Sequence, residues 1–455
     1  MKFDAKKVVV VGLARSGLAV ARFLKAHGAR VTVTDQAAEA VLGHFPAEAR
    51  KLDIQLELGG HRGASFETAD LIVISPGVPH TIEPLAQARK RGIPVIGEIE
   101  LACRFIEKPI VAVSGTNGKT TTTELLGRML AEAGMRVFVG GNIGNPLIDI
   151  AGRDADLDVI VAEISSFQLD TTVDFKPHVA VMLNISPDHL DRYGSVAEYA
   201  LSKGLLFRNQ GPEDFAVCHG GDLLVQQQCQ QIRSQVLNFY PQPPADGGSR
   251  PGAIITPQQI ALFIPDVLEG RIDLSRTALI GPHNRENIAA ACLAAAAAGA
   301  ELEAIQKALD EFQPLAHRLE KVATVNGVHF VNDSKATNVD AVVRALECFD
   351  HRVVLIMGGR NKGYDFAPLF NHVAARARKL IVIGEAREEI LAALAQAPAE
   401  GCETATDMAD AVRRGFAAAK PGETVLLSPA CASFDMFANY AQRGEVFRRA
   451  VGELA

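Results

Sequence analysis

Residues 110–120 read IVAVSGTNGKT. Ile110–Val113 predicts a buried strand, residues 114–118 predict a glycine loop, and the residues from Lys119 onward predict a helix. In such an arrangement backbone N–H groups and the helix dipole face an anion, Lys119 adds a positive charge, and the Thr120 hydroxyl suits Mg²⁺. The spacing GxxGK[ST] is tighter than the standard GxxxxGK[ST], because position 113 is valine. The stretch therefore predicts a phosphate-binding loop in a parallel α/β fold.

The same alternation of β-branched runs and amphipathic segments continues on both sides of this loop and predicts doubly wound parallel sheets. Hinges are predicted at Pro109 and Pro314, and a Pro/Gly-rich surface loop over 240–252. The predicted domains cover residues 1–108, 109–313 and 314–455. The predicted strands are Val8–Val11, Val31–Thr34, Leu71–Ser75, Pro94–Ile96, Ile110–Val113, Val137–Gly140, Val159–Ile164, Val179–Leu183, Val353–Met357, Leu380–Ile383 and Thr424–Ser428. The predicted helices begin at Ser16 and Lys119 or span Asn287–Ala298, Leu302–Phe312 and Met408–Ala418.

Composition indicates an ordered protein of several domains. Of the 455 residues, 48% are apolar and 22% are charged, which is enough apolar surface to offset the entropy lost on folding. The net charge of −7 argues against nucleic-acid binding, because phosphate neutralisation needs a basic face. Seven scattered cysteines without a CxxC pair indicate reduced thiols. The longest apolar stretch, residues 288–300, is too short to span a bilayer, so we expect a cytoplasmic protein that does not enter the membrane.

A glycine-containing segment, Gly12-Leu13-Ala14-Arg15-Ser16-Gly17, follows the first predicted strand, and Asp35 ends the second. This pattern is typical of dinucleotide-binding domains. Alanine stands at position 14, however, where a second glycine normally lets the pyrophosphate approach the backbone. A dehydrogenase or nucleotide sensor is therefore the alternative from another class of function. Binding of a different nucleotide diphosphate at the same helix start is an equally good interpretation.

Ligands suited to hard cations follow two of the predicted central strands. Glu163 lies near the end of Val159–Ile164, and Asp188-His189-Leu190-Asp191 follows Val179–Leu183. Each of them alone also fits a helix cap or a hydrogen-bonded turn. Carboxylates beside a phosphate loop are suited to Mg²⁺, so together with Thr120 these residues predict a magnesium site.

Nine blocks occur in order across the chain: SGTNGKTTT (114–122), GGNIG (140–144), EISSFQL (163–169), DHLDRY (188–193), GPHNREN (281–287), HRLE (317–320), NDSKATN (332–338), GGRNKGYDF (358–366) and SPACASFDMF (428–437). Together they resemble the Mur ligases, and the last three resemble the D-glutamate-adding members of that family. The resemblance implies an α/β fold of three domains: an N-terminal Rossmann-like parallel sheet, a central P-loop-like ATP-binding domain and a C-terminal Rossmann-like domain that binds an amino acid.

The same resemblance implies an ATP-dependent ligase that adds D-glutamate to UDP-N-acetylmuramoyl-L-alanine through an acyl phosphate, in peptidoglycan precursor synthesis. ATP and two Mg²⁺ ions are the expected cofactors, and a monomer is the expected form. Another Mur ligase, or an amide ligase similar to folylpolyglutamate synthase, is the alternative within the ligases.

Site residues are implied by the resemblance at matching positions. The catalytic residues would be Lys119, His189 and Lys203. The ATP-binding residues would be Gly115, Thr116, Asn117, Gly118, Lys119, Thr120, Thr121, Asn284, Asn287, Arg318 and Asp333. The metal ligands would be Thr120, Glu163, His189 and Lys203. The UDP-substrate residues would be Ser16, Gly77, Asn142, Gln168 and His189. The D-glutamate residues would be Lys335, Thr337, Lys362, Ser433 and Phe434.

Two of these lysines have an alternative interpretation, and one segment departs from the family pattern. The family carries a carbamoylated lysine that bridges two Mg²⁺ ions, and Lys203 matches it; the alternative is a surface lysine. For Lys362 the alternative is a solvated loop charge. Gln36-Ala37 follow Asp35 where the family has Thr-Arg, so contacts to uridine diphosphate depart from the pattern there.

Overall fold

The computed structural model describes residues 3–190, 192–242 and 251–454 and has a mixed α/β fold built on three sheets. Asp191, a predicted ligand, and residues 243–250 of the predicted loop lie outside the described residues. The packing divides into two compact units. Unit 1 comprises the described residues of 1–185, 197–274 and 288–309, and unit 2 those of 186–196, 275–287 and 310–455.

The secondary structure alternates strands and helices, as expected for an α/β protein. The strands are β1 Lys7–Val11, β2 Arg30–Asp35, β3 Gln55–Leu58, β4 Leu71–Ile74, β5 Val95–Gly97, β6 Ile110–Ser114, β7 Val137–Gly141, β8 Val159–Glu163, β9 Val179–Met182, β10 Phe215–His219, β11 Gln235–Tyr240, β12 Gly252–Ile255, β13 Gln259–Ile264, β14 Leu268–Asp273, β15 Glu320–Val325, β16 Val328–Asn332, β17 Val353–Gly358, β18 Ala377–Ile383, β19 Cys402–Thr404 and β20 Thr424–Leu427. The α-helices are α1 Arg15–Ala26, α2 Phe45–Lys51, α3 Gly63–Glu67, α4 Glu83–Lys90, α5 Glu98–Cys103, α6 Lys119–Glu132, α7 Ser166–Leu169, α8 Val196–Gly204, α9 Leu223–Cys229, α10 Pro282–Ala297, α11 Leu302–Glu311, α12 Val339–Leu346, α13 Phe370–Arg376, α14 Arg387–Leu394, α15 Met408–Ala418 and α16 Tyr440–Gly452. Short 3₁₀ helices span Glu39–Val41, Leu147–Asp149, Leu205–Phe207 and Ala367–Leu369.

The first sheet of unit 1 has the order β3-β2-β1-β4-β5, and all its pairs are parallel. Its central strand β1 buries Val8–Val11, because helices cover both faces of a parallel sheet. This confirms the predicted N-terminal Rossmann-like sheet. The edge strand β3 was not predicted, because its four residues QLEL carry too short a pattern.

The second sheet of unit 1 has the order β14-β13-β12-β11-β10-β9-β6-β8-β7. Pairing is parallel from β7 to β12, and β13 and β14 add antiparallel strands at one edge. The loop-bearing strand β6 lies between β8 and β9 and is buried along its whole length. The antiparallel edge was not among the predicted strands, although β13 alternates half-buried and buried residues as a strand with one covered face should.

The sheet of unit 2 has the order β15-β16-β20-β17-β18-β19. Its strands are parallel except for the hairpin of β15 and β16. Asn326-Gly327 joins that hairpin with positive φ at both residues, the conformation for which an Asn-Gly pair is favoured. The fold class is confirmed, whereas the domain boundaries at Pro109 and Pro314 stay predictions.

Two buried carboxylates of α5 attach the first sheet to the second within unit 1. Glu98 Oε1 accepts a hydrogen bond from Ile148 N at 2.8 Å. Glu100 Oε2 accepts from Val173 N at 2.8 Å and from Phe175 N at 3.1 Å. Buried carboxylates are costly unless backbone donors satisfy them, so these bonds hold α5 in one position.

Glu98→Gln is expected to flatten the pH dependence of stability. Burial raises the pKa of Glu98 to about 7 from its usual 4.5, although the backbone N–H groups oppose the shift. The folded protein therefore holds this proton more tightly than the unfolded chain, and its stability falls as pH rises from about 4.5 to about 7. Removing the titration should reduce that fall by about 1–3 kcal/mol, measured from urea midpoints. Glu83→Gln on exposed α4 is the control, and an unchanged slope in Glu98→Gln would contradict the prediction.

Across the described ranges 3–190, 192–242 and 251–454, no helix combines the length and hydropathy needed to cross a bilayer.

Candidate active site

The predicted phosphate-binding loop connects the carboxyl end of β6 to the amino end of α6 in unit 1. Gly115 has a φ of +148°, and a Cβ there would lie 2.9 Å from Leu183 Cβ. Gly118 has a φ of +87° and is the N-cap of α6. Glycine is required at both positions, because an L side chain would be strained or would collide. The loop thus brings the chain to a helix start, where an anion is favoured.

Asn184, which follows β9, holds this loop by three hydrogen bonds. Its Oδ1 accepts from Asn117 N at 2.8 Å, its Nδ2 donates to Asn117 O at 3.1 Å, and its backbone oxygen accepts from Thr116 N at 2.9 Å. Asn184 is buried. The sequence blocks did not include it, because its importance depends on β9 being the neighbour of β6.

Two lysine side chains converge on the carbonyl oxygen of Gly115. Lys119 Nζ donates to it at 2.8 Å and to Thr116 O at 2.8 Å, and Lys203 Nζ donates to the same Gly115 oxygen at 2.8 Å. Lys203 is only 1% exposed and lies 4.7 Å from the centre of the Tyr199 ring. The surface-lysine alternative is therefore wrong. Two ammonium groups that share one oxygen favour a bound anion or the loss of one positive charge, because like charges repel at short range.

Thr120 and Glu163 are the predicted hard-cation ligands that lie in unit 1. Both are buried, and Glu163 ends β8, which pairs with β6 so that Val113 lies beside Glu163. Glu163 Oε1 accepts a hydrogen bond from Asn142 Nδ2 at 2.8 Å, whereas Oε2 is buried without a hydrogen-bond partner. A buried carboxylate oxygen in this state is costly unless a cation or donor completes it. The hydroxyl and the carboxylate fit Mg²⁺.

Within the part of the chain that the structure describes, no group of three or more His, Cys, Asp or Glu side chains is placed to hold a metal by itself. Mg²⁺ does not need such a group, because it keeps several waters and takes one or two carboxylates together with nucleotide phosphates. One carboxylate and one hydroxyl beside a phosphate loop form a donor set of this kind.

Two predicted UDP-substrate residues, Ser16 and Gly77, lie just after β1 and β4 of the N-terminal sheet. Ser16 lies half-buried in the first turn of α1, and Gly77 is exposed. Both carboxylate oxygens of Asp35 accept hydrogen bonds from nearby backbone groups. Oδ2 accepts from Leu13 N at 2.7 Å, and Oδ1 accepts from Ala37 N at 2.8 Å. In dinucleotide-binding enzymes the corresponding carboxylate binds a ribose hydroxyl, so this geometry disfavours the dehydrogenase alternative.

Two predicted UDP-substrate residues of unit 1 have structural partners of their own. Asn142 donates to Glu163, as described above. Gln168 is buried, and its Oε1 accepts from the backbone and side chain of Ser165, both at 2.9 Å, which closes a capping box at the start of α7. Their contacts to substrate stay predictions.

In unit 2, the predicted D-glutamate residues follow three neighbouring strands. The strands β16, β20 and β17 lie side by side and parallel, so their carboxyl ends meet at one edge of the sheet. The loops after them carry Lys335 and Thr337, Ser433 and Phe434, and Lys362, respectively. Ser433 is buried, while Phe434 is 64% exposed. A common edge is the placement that a shared amino-acid pocket needs.

Arg443 of α16 connects two of these loops and was missed by the sequence analysis. The guanidinium is buried and donates to Ser334 O at 2.7 Å, to Ser334 Oγ at 3.0 Å and to Cys431 O at 3.0 Å. Burial lowers the pKa of Arg443 to about 10. An arginine on an amphipathic helix gives no local sign of burial, so only the tertiary structure reveals it.

The predicted ATP-binding residues of unit 2 are also largely buried. Asp333 accepts from Ser428 Oγ at 3.1 Å, and burial raises its pKa to about 7, a perturbation typical of functional sites. At the start of α10, Asn287 Nδ2 donates to Asn284 Oδ1 at 3.2 Å. Arg318 is half-buried. His189, the remaining predicted ligand, belongs to unit 2.

Comparison with known proteins agrees with this arrangement. Residues 6–97 match the MurD-like N-terminal domain of Mur ligases, residues 113–295 the Mur ligase middle domain, and residues 317–431 the Mur ligase glutamate ligase domain. A UDP-N-acetylmuramoylalanine–D-glutamate ligase from Desulfosudis oleivorans is 51% identical over 454 residues, which cover 99% of this chain and 97% of that protein. The chain belongs to the Mur ligase family. A ligase of the same name from Desulfatibacillum aliphaticivorans is 48% identical to this Mur ligase, with 100% of both chains covered.

Solved structures share the fold of this Mur ligase. The pseudomurein peptide ligase type C from Methanothermus fervidus has a TM-score of 0.62 at 21% identity, covering 99% of this chain and 100% of its own. The UDP-N-acetylmuramate–alanine ligase MurC from Thermotoga maritima has a TM-score of 0.60 at 17% identity, with the same coverage. At these identities the likeness concerns the fold alone.

The structure of this Mur ligase groups the predicted site residues by unit. Unit 1 brings Lys119, Thr120, Glu163 and Lys203 to the phosphate loop and its neighbouring strand. Unit 2 holds His189, the remaining ATP residues and the D-glutamate set. Which ligand each residue binds stays a prediction.

Proposed function

We propose that this Mur ligase uses ATP to join D-glutamate to UDP-N-acetylmuramoyl-L-alanine in the synthesis of peptidoglycan precursors. Relatives with 51% and 48% identity over essentially the full chain carry the name of that activity. The structural observation that carries the proposal is the phosphate loop, where Lys119 and the buried Lys203 both donate to the carbonyl oxygen of Gly115. The neighbouring strand β8 ends in Glu163, whose Oε2 is buried without a hydrogen-bond partner. The monomeric form and the cytoplasmic location are part of the proposal.

The reaction follows from ATP bound at this loop. The carboxylate of the L-alanyl end attacks the γ-phosphorus, the bond to the bridging oxygen breaks, and an acyl phosphate and ADP result. The D-glutamate amine then attacks the acyl carbon, passes through a tetrahedral oxyanion and expels phosphate with the loss of a proton. Lys119 and the N–H groups at the start of α6 stabilise the phosphate charge throughout.

Mg²⁺ would be held by Thr120 and by the open oxygen of Glu163. When bound, it neutralises phosphate charge and makes the γ-phosphorus more electrophilic. Asn142 keeps the Glu163 carboxylate oriented, because it donates to the other oxygen of the same group.

We further propose a second Mg²⁺ and a carbamate on Lys203. An ammonium group has no lone pair for a cation, whereas addition of CO₂ turns the side chain into a carboxylate-like acceptor. The carbamate would also remove one of the two positive charges that meet at the Gly115 oxygen. His189 is proposed as a further metal ligand and as a contact of the UDP substrate, which Ser16, Gly77, Asn142 and Gln168 would also bind.

The proposal also assigns the residues that would bind ATP and D-glutamate. ATP would be bound by the loop residues 115–121 and by Asn284, Asn287, Arg318 and Asp333. D-Glutamate would be bound by Lys335, Thr337, Lys362, Ser433 and Phe434. A dicarboxylate needs local cations and hydroxyl or backbone donors in a protein of net charge −7, and the edge formed by β16, β20 and β17 presents them.

The alternatives have weaker support. A sibling ligase or a folylpolyglutamate synthase would share the fold; Escherichia coli FolC, for example, has a TM-score of 0.56 at 18% identity, with 78% of this chain and 93% of that chain covered. A likeness at that level concerns the fold alone, whereas the relatives with high identity bear the D-glutamate ligase name. The sensor and dehydrogenase alternatives rest on the Gly12–Gly17 segment alone, because both carboxylate oxygens of Asp35 already accept hydrogen bonds from Leu13 N and Ala37 N.

Selectivity for D-glutamate tests this proposal. We expect phosphate release with ATP, UDP-N-acetylmuramoyl-L-alanine and D-glutamate, and at least about 100-fold less with L-glutamate, L-lysine or meso-diaminopimelate, because a mismatched carboxylate leaves buried donors unpaired. Lys362→Ala should raise the KM for D-glutamate by about 10-fold or more and leave the KM for ATP nearly unchanged. Lys420→Ala, an exposed lysine of the same unit, is the matched control. Equal rates with L- and D-glutamate would defeat the proposal.

A further inference from the structure

The segment that carries His189 is held in place through its neighbour Asp188. Both belong to unit 2, and Asp188 is only 7% exposed. Asp188 Oδ1 accepts hydrogen bonds from Tyr364 Oη and from His189 N, the latter at 2.8 Å. Asp188 Oδ2 accepts from Asn338 Nδ2 at 3.2 Å. Both carboxylate oxygens are therefore engaged, and two of the donors come from distant parts of the chain.

The backbone of His189 makes this support necessary. Its φ is +55°, a left-handed conformation that is uncommon and strained for a residue with a Cβ. Such a conformation persists only where several surrounding contacts hold the backbone in it. The bond from His189 N to Asp188 supplies one constraint, and the His189 carbonyl accepts from Arg192 N at 2.9 Å and Tyr193 N at 3.1 Å. The direction of the imidazole thus depends on the position of the Asp188 carboxylate.

The two distant donors are themselves rigidly placed. Tyr364 lies in the loop after β17, where Asn361 Oδ1 accepts from Tyr364 N at 2.8 Å and Asn361 Nδ2 donates to Tyr364 O at 3.0 Å. Asn338 is the N-cap of α12, and its Oδ1 accepts from Ala341 N at 2.8 Å. Each donor therefore reaches Asp188 from a fixed backbone.

The same two loops carry predicted D-glutamate residues. Lys362 is two residues before Tyr364, and Thr337 directly precedes Asn338. Nearby, Ser186 Oγ donates to Asp340 Oδ2 at 3.3 Å, which adds a further bond between the His189 segment and α12. The segment is therefore attached to both predicted amino-acid loops and not to one alone.

We propose that Tyr364 and Asn338 are positioning residues of this ligase. Acting through Asp188, they hold His189 in its left-handed conformation and couple its orientation to the loops that bear the D-glutamate residues. None of the nine sequence blocks suggested this role, because it depends on contacts across 150 and 176 positions of the chain. The inference rests on the proposed function for the role of His189.

Tyr364→Phe is the first test. It removes the hydroxyl and keeps the ring, so we expect kcat for phosphate release to fall about 10- to 100-fold, the usual range for a lost hydrogen bond to a buried charge. The KM for ATP should stay within about twofold. Tyr240→Phe on β11 of unit 1 is the control and should keep wild-type kcat. A kcat of Tyr364→Phe within about twofold of wild type would overturn the proposal.

Asn338→Asp is the second variant, and it tests the other distant donor to Asp188. Aspartate keeps the oxygen that caps α12, but it replaces the donor toward Asp188 with a second carboxylate. We expect a larger loss of kcat than in Tyr364→Phe, because like charges are placed side by side in a buried site. The repulsion should also lower the melting temperature, so kcat is measured at a temperature where the variant is still folded. Wild-type kcat in Asn338→Asp would count against the proposal.

A double-mutant cycle shows whether Tyr364 acts through Asp188. In an Asp188→Ala background, Tyr364→Phe should change kcat by less than about twofold, because the acceptor is already gone. If the hydroxyl acted independently of Asp188, the two substitutions would instead give multiplicative effects on kcat, and the proposal would be overturned. The cycle is measured with the amino acid that supports the fastest wild-type turnover. A wild-type enzyme inactive with D-glutamate then overturns the proposed substrate, while the cycle still decides the role of Tyr364.

Discussion

Lys119→Ala is expected to lower ATP-dependent phosphate release by at least about 10³-fold, which corresponds to about 4 kcal/mol of lost transition-state stabilisation. The ammonium group lies at the start of α6 and contacts two carbonyl oxygens of the phosphate loop, Gly115 O and Thr116 O. Because Lys203 is proposed to carry a carbamate, Lys119 is the lysine that keeps its positive charge at the phosphate loop. Since Lys119 is half-buried in a loop-to-helix junction and not packed in a core, folding should be affected far less than turnover.

The measurement is phosphate release at saturating substrates, together with the melting temperature of the variant. Lys307→Ala is a matched control, because Lys307 is a lysine of unit 1 that makes a surface ion pair with Glu132. Exposed ion pairs of this kind contribute little to stability, so the control should be nearly wild type in both respects. A folded Lys119→Ala variant with near-normal phosphate release would defeat the assignment of the loop.

Lys203→Ala should be nearly inactive, and added formate or acetate should restore part of the activity. The side chain is buried against Tyr199 and reaches the Gly115 oxygen, so its removal leaves space next to the phosphate loop. A small carboxylate in that space would supply the oxygen ligand that a carbamate provides. Rescue should saturate with carboxylate concentration, whereas chloride at the same ionic strength should have no effect.

Lys203→Arg separates a role of the charge from a role of the carbamate. Arginine keeps the positive charge but does not form the carbamate, so we expect it to be as inactive as Lys203→Ala. Depletion of CO₂ should lower the activity of the wild-type enzyme, and bicarbonate should restore it. High activity in Lys203→Arg would mean that the ammonium group itself is functional and that the carbamate proposal is wrong.

Much of the fold was predictable because its signals are local. The run Ile110–Val113 followed by a glycine loop and a helix start predicted the bounds of β6 and the first residue of α6 to within one residue. Several of the strands that went unpredicted, such as β3 and the antiparallel edge formed by β13 and β14, are short or half-exposed. Strands of this kind are stabilised by their neighbours in the sheet more than by their own residues, so a local pattern carries less information about them.

The sequence by itself determined the α/β class, the position of the glycine loop and the nine motif blocks that contain most of the predicted site residues. Apolar runs, glycines and motif spacing are properties of neighbouring residues, so they can be recognised without the fold. Only the tertiary structure decided that Lys203 is buried, that Asn184 supports the loop, that Glu163 keeps one oxygen without a partner, and that Arg443 bridges two loops. Each of these facts depends on which strands become neighbours and on which side chains lose their water. Both are set by the free energy of packing distant segments together, which no local pattern encodes.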